Sequence, residues 1–357
     1  MPKFKIMFVL PSLVAGGAER VLSFVAQHID KNVFDVTLVI IGFEKDRAYS
    51  TEGVNTVYFN KSRMLSGIPQ LFSYIRKNKP HLIVSCMNHV NIPVALILLI
   101  FPKIKLVTRE ANMKKITAIY HGENKFWLYK KLLNISYRKT SKIICQSKDM
   151  ADEMVTEYFI SPSKLCVINN PISDGFKVKK QMKPREIPHY ITVGRLHAEK
   201  GHERILHALS QLKFPFHYTI IGTGEALESI QQTVKRLNME SKVKFIPYTD
   251  KVPEYLRESD LFLQGSFAEG FPNALLESCA VGTPALAYKA PGGTNEILEN
   301  GINGFMATDD TDFVNYLNII QSDTIFETSV VSNSTHKKFD KKHIIKKYEN
   351  VFLNVLR

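Results

Sequence analysis

The chain has 357 residues, 45% hydrophobic and 23% charged, a make-up that fits a soluble globular protein of two ordinary domains and excludes a disordered or fibrous one. A formal charge of +13, from 47 Lys and Arg against 34 Asp and Glu, makes one face basic and suits nucleic acid, anionic lipid or a phosphorylated substrate. The four cysteines (Cys86, Cys145, Cys166, Cys279) contain no C-x-x-C pair and read as reduced core thiols of a cytoplasmic protein, and no apolar run reaches the ~18 residues that span a bilayer.

The N-terminus imitates a signal peptide, with Lys3 and Lys5 ahead of the apolar run Ile6–Ala15. Pro11 interrupts that run, Phe4–Leu10 has strand character, and a helical pattern follows at Ala18, Val21, Leu22 and Val25. Strand, Gly-Gly turn and helix open an α/β domain rather than a cleaved leader. Further strands are expected at Asp35–Ile41, Thr56–Phe59, Leu82–Ser85, Lys105–Arg109, Lys142–Gln146 and Leu165–Ile168. Helical stretches stand between them near 18–29, 69–78, 91–101, 122–139 and 148–159. Such alternation predicts a parallel sheet covered on both faces.

Ser173–Pro188 is polar, basic and carries two prolines, as an inter-domain connection would. The alternation then restarts, with strands at Tyr190–Val193, His217–Ile221, Val243–Ile246, Leu261–Leu263 and Ala285–Ala287. Helices are expected near 201–211, 225–238, 272–282 and 310–321, and a last amphipathic helix near 338–355. The fold class is therefore α/β, two doubly wound Rossmann-like domains facing a central cleft. The domains run 1–172 and 189–337, joined by 173–188, and 338–357 is a final helix that packs back on the first. In open α/β sheets ligands bind beyond the carboxyl ends of the strands, so the strand-to-helix loops should carry the site.

Four such junctions hold informative residues. Gly16-Gly17 follows the first strand; two glycines allow close backbone approach to a ligand, and they equally make a plain tight turn. Gly194 to Gly201 places Arg195 and Lys200 around one turn, where two cations can grip a diphosphate and stabilise charge on a departing nucleotide. A solvated basic turn has the same composition. Gly222-Thr223-Gly224-Glu225 invites comparison with a dinucleotide fingerprint, but Leu227 stands where the third glycine belongs and the next strand ends without an acidic residue. The fourth junction is E-G-F-P-N-A-L-L-E, Glu269 to Glu277. Pro272 suits the first position of a helix, so the amides of Asn273, Ala274 and Leu275 open toward a ligand, with one carboxylate before the helix and one inside it. Carboxylates accept hydrogen bonds from hydroxyls and helix-start amides attract phosphate, which together describe a nucleotide-sugar. Two glutamates around a surface helix start give the same pattern.

In their order and spacing, G-G-A-E-R at 16–20, V-G-R-L-x-x-E-K-G at 193–201, the E-x7-E segment, Gly282-Thr283-Pro284 and P-G-G-x-x-E at 291–296 resemble retaining glycosyltransferases of family 4, with GT-B architecture. The resemblance covers nearly the whole chain and is nearest to enzymes of bacterial capsule, O-antigen and lipid-linked oligosaccharide synthesis. It implies that Arg195, Lys200 and Glu269 carry the chemistry. Arg195 and Lys200 would hold the diphosphate, and Glu277 the ribose hydroxyls. Glu269, with backbone amides around Gly270, Phe271, Asn273, Ala274 and Leu275, would hold the transferred sugar. Gly16 and Gly17 would lie on the phosphate or acceptor side. No metal and no cofactor is implied; Asp309-Asp310 reads as a helix start rather than a D-x-D motif. Retention implies front-face attack, with the leaving phosphate helping to take the acceptor's proton.

Where many relatives have a histidine after the strand ending at Arg109, this chain has Arg109-Glu110 before Asn112. The resemblance assigns Arg109, Glu110 and Asn112 to the acceptor; a structural Arg–Glu surface pair is the alternative. Eleven Lys and Arg crowd residues 103–142 against Glu110 and Glu123 alone, and Phe126-Trp127-Leu128-Tyr129 precedes Lys130-Lys131. An aromatic-basic helix of this kind suits an anionic membrane surface, and an ordinary solvated helix also has this face. The expected partners are thus a nucleotide-sugar, a polyprenyl-diphosphate-linked or glycan acceptor and the inner face of the plasma membrane, and no nucleic acid. The donor read here is a UDP-hexose or UDP-N-acetylhexosamine. A nucleotide-sugar epimerase of the same fold and a basic nucleic-acid-binding protein are the competing readings; the second leaves the glutamate pair and glycine turns unexplained.

Overall fold

Strands of a parallel sheet lie between two layers of helices, so they are built from near-continuous apolar runs. Phe4–Leu10 (β1) is such a run, and its last five residues are buried. The computed structural model describes residues 2–111, 113, 127–181, 185–322 and 326–357. They group into two units, one of residues 2–111, 127–171 and 341–357, the other of residues 113, 172–181, 185–322 and 326–340.

Among the described residues the first unit carries a seven-stranded sheet, order β3-β2-β1-β4-β5-β6-β7, parallel throughout. The strands after β1 are Phe34–Ile40 (β2), Asn55–Tyr58 (β3), Leu82–Cys86 (β4), Lys105–Arg109 (β5), Lys142–Cys145 (β6) and Leu165–Val167 (β7). Alternate residues of β1 serve different cores, as the two-residue period of a strand requires. Ile6, Phe8 and Leu10 face the helix Gly17–His28 and the helix Lys341–Leu356. Met7 and Val9 face the helices Met64–Asn78 and Asn88–Ile97.

The second unit repeats the plan with a six-stranded parallel sheet, order β10-β9-β8-β11-β12-β13. Its strands are His189–Val193 (β8), His217–Ile221 (β9), Val243–Ile246 (β10), Leu261–Gln264 (β11), Ala285–Tyr288 (β12) and Gly304–Ala307 (β13). One core lies under Ile205, Leu209, Ile230 and Phe313, the other under Leu275, Cys279, Ile297 and Phe339. In each sheet the strand order reverses beside the first strand of the unit, between β1 and β4 and between β8 and β11.

Several expectations need correction. The helix expected from residue 69 begins at Met64 and takes Pro69 into its interior. An unexpected helix, Thr328–Phe339, precedes the expected final one, which runs Lys341–Leu356 rather than about 338–355, with Asp340 between them. The first belongs to the second unit and the second to the first, so the break marks a change of unit. Residues 173–188 are no loose connection where they are described. Lys179 donates through its amide to Val281 O at 2.9 Å and through Nζ to Ser259 O at 2.7 Å, both in the second unit. Burial pushes its amine down to about 8. None of the four cysteines is in a disulfide, and burial pushes the Cys86 and Cys279 thiols up to about 12, which makes both inert.

Candidate active site

The loops after β8, β9, β11 and β12 meet at the carboxyl edge of the second sheet. Their contacts are backbone to backbone. Leu196 N donates to Thr223 O at 2.9 Å, Phe267 N to Glu199 O at 2.9 Å, and Glu269 N to Pro291 O at 3.0 Å. Such close approach needs residues without a Cβ. Gly201 (φ +59°) lies against the Gly265 carbonyl, and Gly292 (φ +113°) against the Glu269 carbonyl; a Cβ at either would overlap that oxygen.

Two of the expected site residues are in direct contact. Lys200 Nζ lies 2.7 Å from Glu269 Oε1, although 69 positions separate them. Ser266 Oγ donates to the same oxygen at 2.6 Å. Lys200 and Glu269 are only 19% and 12% exposed, so water screens the pair weakly. Arg195 is different. Its guanidinium is 58% exposed and pairs with Glu199 at 3.0 Å, one helical turn ahead of it in sequence. An exposed arginine in a surface pair worth at most about 1 kcal/mol can turn to another anion. His202, at the start of the helix His202–Ser210, lies under this turn, with Nε2 3.2 Å from Arg195 O. Burial lowers its pKa, so it is neutral near pH 7, and Nε2 carries the proton it donates.

Beyond Glu269 the chain enters the helix Asn273–Val281, with Pro272 as its N-cap rather than its first residue. Pro272 has no amide to leave unsatisfied, and its carbonyl accepts from Leu276 N at 3.0 Å. The amides of Ala274 and Leu275 therefore open from the helix start, two of the three expected there. Phe271 packs on Phe339, with ring centres 5.4 Å apart, and Leu275 is fully buried, so both offer only backbone to a ligand. Glu277 is 4% exposed inside the helix. Gly270 and Asn273 lie between the two carboxylates, one in the loop and one at the helix start.

The remaining expected residues belong to the first unit. Gly16 is the N-cap of the helix Gly17–His28, and its carbonyl accepts from the Tyr49 hydroxyl at 3.1 Å. The acceptor reading of Arg109 and the exposed Arg109–Glu110 pair are both corrected. Arg109, the last residue of β5, is 0% exposed, with Nε 3.2 Å from the Tyr348 hydroxyl and Nη2 2.5 Å from Asn170 Oδ1. It ties the sheet to the helix Lys341–Leu356. Glu110 is 2% exposed and receives the Tyr137 hydroxyl at 3.4 Å. The central place of β5 in a sheet covered on both faces explains why neither reaches the surface. Asn112 lies outside the described residues, as do Lys114, Lys115, Lys125 and Phe126 of the basic stretch. Sequence reasoning missed Ser266, His202 and Arg204; Ser266, three positions before Glu269, was the one with a readable signal.

Two family models together match residues 15–337, Glycosyltransferase Family 4 over residues 15–175 and Glycosyl transferases group 1 over residues 174–337. The chain belongs to glycosyltransferase family 4. It is 26% identical over 307 residues to an uncharacterized glycosyltransferase of Haemophilus influenzae, covering 84% of each chain. It is 25% identical over 213 residues to N-acetylgalactosamine-N,N'-diacetylbacillosaminyl-diphospho-undecaprenol 4-alpha-N-acetylgalactosaminyltransferase of Campylobacter jejuni, covering 59% of this chain but only 58% of that one. Among solved structures it resembles Anabaena Alr3699/HepE in complex with UDP, at TM-score 0.82 and 19% identity over 98% of this chain and 100% of that one. The two Rossmann-like units of this family 4 glycosyltransferase are thus those of the GT-B fold.

Proposed function

We propose that this glycosyltransferase moves a hexose or N-acetylhexosamine from a UDP-sugar to a polyprenyl-diphosphate-linked or glycan acceptor, with retention of configuration, in capsule or lipopolysaccharide synthesis. The observation that carries the reading is the Lys200–Glu269 pair at 2.7 Å, in the loops just before the helix start at Asn273. A cation held by a carboxylate beside open helix-start amides is a site for phosphate next to hydroxyls. Lys200 and Arg195 neutralise the diphosphate and the charge that grows on it as the glycosidic bond breaks. Glu269, while orienting Lys200, keeps its second oxygen for a sugar hydroxyl. Glu277 receives the ribose hydroxyls, and the backbone of Gly16 and Gly17 serves the phosphate or acceptor side. With two cations and a helix start to take the charge, transfer needs no divalent ion. The leaving phosphate, rather than an enzyme carboxylate, takes the acceptor's proton.

UDP is favoured by the complex solved for Alr3699/HepE, and a lipid-linked acceptor by the name of the Campylobacter jejuni relative. No helix among the described residues is long and apolar enough to cross a membrane. The helix Trp127–Lys139 supports peripheral attachment to the inner leaflet instead. Its Trp127 is 67% exposed beside exposed Leu128, Lys130 and Lys131, with Lys131 Nζ 6.0 Å from the indole centre. The polar face binds anionic headgroups and the ring enters the interface.

A thermal-shift panel of UDP-, GDP- and ADP-sugars tests the donor, since a ligand that binds only the folded chain raises its melting temperature. A UDP-sugar is expected to stand out, and the anomeric proton of the product, read by NMR, should keep the donor's configuration. Arg195→Ala, Lys200→Ala and Glu277→Ala should each lower transfer roughly ten- to a hundredfold, the loss of a charged hydrogen bond. Chelator should leave the rate unchanged. Near-normal turnover in all three variants overturns the site.

A further inference from the structure

We infer that Arg204 is a positioning residue for transfer, an inference that rests on the active-site reading of Lys200 and Glu269. Arg204 lies in the first turn of the helix His202–Ser210. Its guanidinium donates through Nε to the Gly265 carbonyl and through Nη2 to the Ser266 carbonyl. The planar group lies 4.1 Å from the ring centre of Phe267 and 3.9 Å from that of Tyr288. The Tyr288 hydroxyl is fixed in turn on Asp310 Oδ1 at 2.7 Å.

A fork with two donors, set against two aromatic rings, fixes direction as well as distance. What it fixes is the backbone of residues 265 and 266, the point where the chain leaves β11. Ser266 Oγ then donates to Glu269 Oε1 at 2.6 Å, and Lys200 Nζ reaches that same atom at 2.7 Å. The order of contacts is therefore Arg204, Ser266, Glu269, Lys200. His202, two positions before Arg204, holds the Arg195 carbonyl at 3.2 Å, so one helical turn steadies both the loop that bears Arg195 and Lys200 and the loop that bears Glu269. Lysine cannot replace this arginine, because an ammonium lacks both the fork and the flat faces. The role assigned is geometric: Arg204 sets where Lys200 stands when the phosphate leaves.

Arg204→Lys, Arg204→Ala, Ser266→Ala and the double variant Arg204→Lys/Ser266→Ala test this, with nucleoside diphosphate release from the nucleotide-sugar that the thermal-shift panel selects. Arg204→Lys should keep a normal circular-dichroism spectrum and lower kcat about ten- to a hundredfold, with a smaller change in the donor KM. The double variant should lose less than the product of the single losses, because both act through one chain of contacts. The second measurement needs no donor. After reductive 13C-methylation, the Lys200 methyl signal, assigned through Lys200→Arg, should shift in Arg204→Lys. A wild-type kcat in Arg204→Lys, or losses that multiply independently, or an unmoved Lys200 signal overturns the inference. If Lys200→Ala and Glu269→Gln keep full activity, the active-site reading fails instead, while the Lys200 signal still reports on Arg204.

Discussion

Single atoms decide much of this site. A Cβ at Gly292 would overlap the Glu269 carbonyl, at a φ of +113° that other residues rarely adopt. Gly292→Ala should therefore cost about 1–3 kcal/mol of stability and displace Glu269, read as a lower melting temperature together with reduced transfer. His202 gives a pH dependence with a definite sign. Its folded pKa is depressed by burial below the ordinary 6.5, so the unfolded chain binds the proton more readily. Stability is then lost as pH falls through 6.5 toward the folded value, and His89 and His189, also lowered by burial, add to the same trend. His202→Gln should flatten the fall in melting temperature between about pH 7 and pH 5. The E-x7-E segment was legible at this scale because its parts are adjacent in sequence. The Lys200–Glu269 contact was not, since local patterns do not say which of many carboxylates meets a lysine 69 positions away. Arg109 misled for a related reason: its type suggests a surface, but its place at the end of a central strand decides its burial.

At the scale of elements, apolar runs bounded by polar turns were read well. β1, β5, β9 and β10 fall where the pattern put them, within buried or half-buried sheets. Short elements escaped. β13 is four residues opening on Gly304 in an Asn- and Gly-rich stretch that reads as a loop, and it forms because it pairs with β12. The helix Val252–Glu258 has only seven residues, too few for a period to show. The break at Asp340 lacks both proline and glycine; Phe339 packs on Phe271 in one core while Ile344 and Phe352 enter another. That last helix carries a clear expectation. Phe352 stands edge-on to Phe8 and Phe34, at 6.0 and 6.3 Å, and is fully buried. Phe352→Ala should destabilise the first unit by about 3–5 kcal/mol. Hydrogen exchange should show lost protection in β1 and β2, with β8 and β11 unaffected.

For the whole molecule, the duplicated alternation of strands and helices made two Rossmann-like units readable, because each repeats one supersecondary plan. Where the chain changes units was less readable. Composition marked 173–188 as a connection, yet its described residues are bound to the second unit through Lys179 and Gln181. Among the described residues both cores of the second unit are built from residues 172–340, so that segment should fold by itself with a cooperative thermal transition. Residues 1–171 should not, because their main core lacks Ile344, Tyr348 and Phe352. Adding a peptide of residues 341–357 should restore a cooperative transition. The charge of +13 belongs to this scale as well. Flotation with anionic liposomes should carry the protein upward, and Lys130→Glu/Lys131→Glu should reduce the bound fraction severalfold, with high salt acting the same way. Absence of flotation with both forms removes the membrane partner.

The clasp of Arg109 on Tyr348 and Asn170 also bears on how the protein is made. On a ribosome the N-terminal part of a chain ordinarily folds before the rest emerges. Here the helix that closes the first core is translated after every residue of the second unit. The first-made sheet must wait with Phe8 and Phe34 uncovered while its neighbour completes, so the earliest part of the nascent chain is the last to mature and the part most in need of a chaperone.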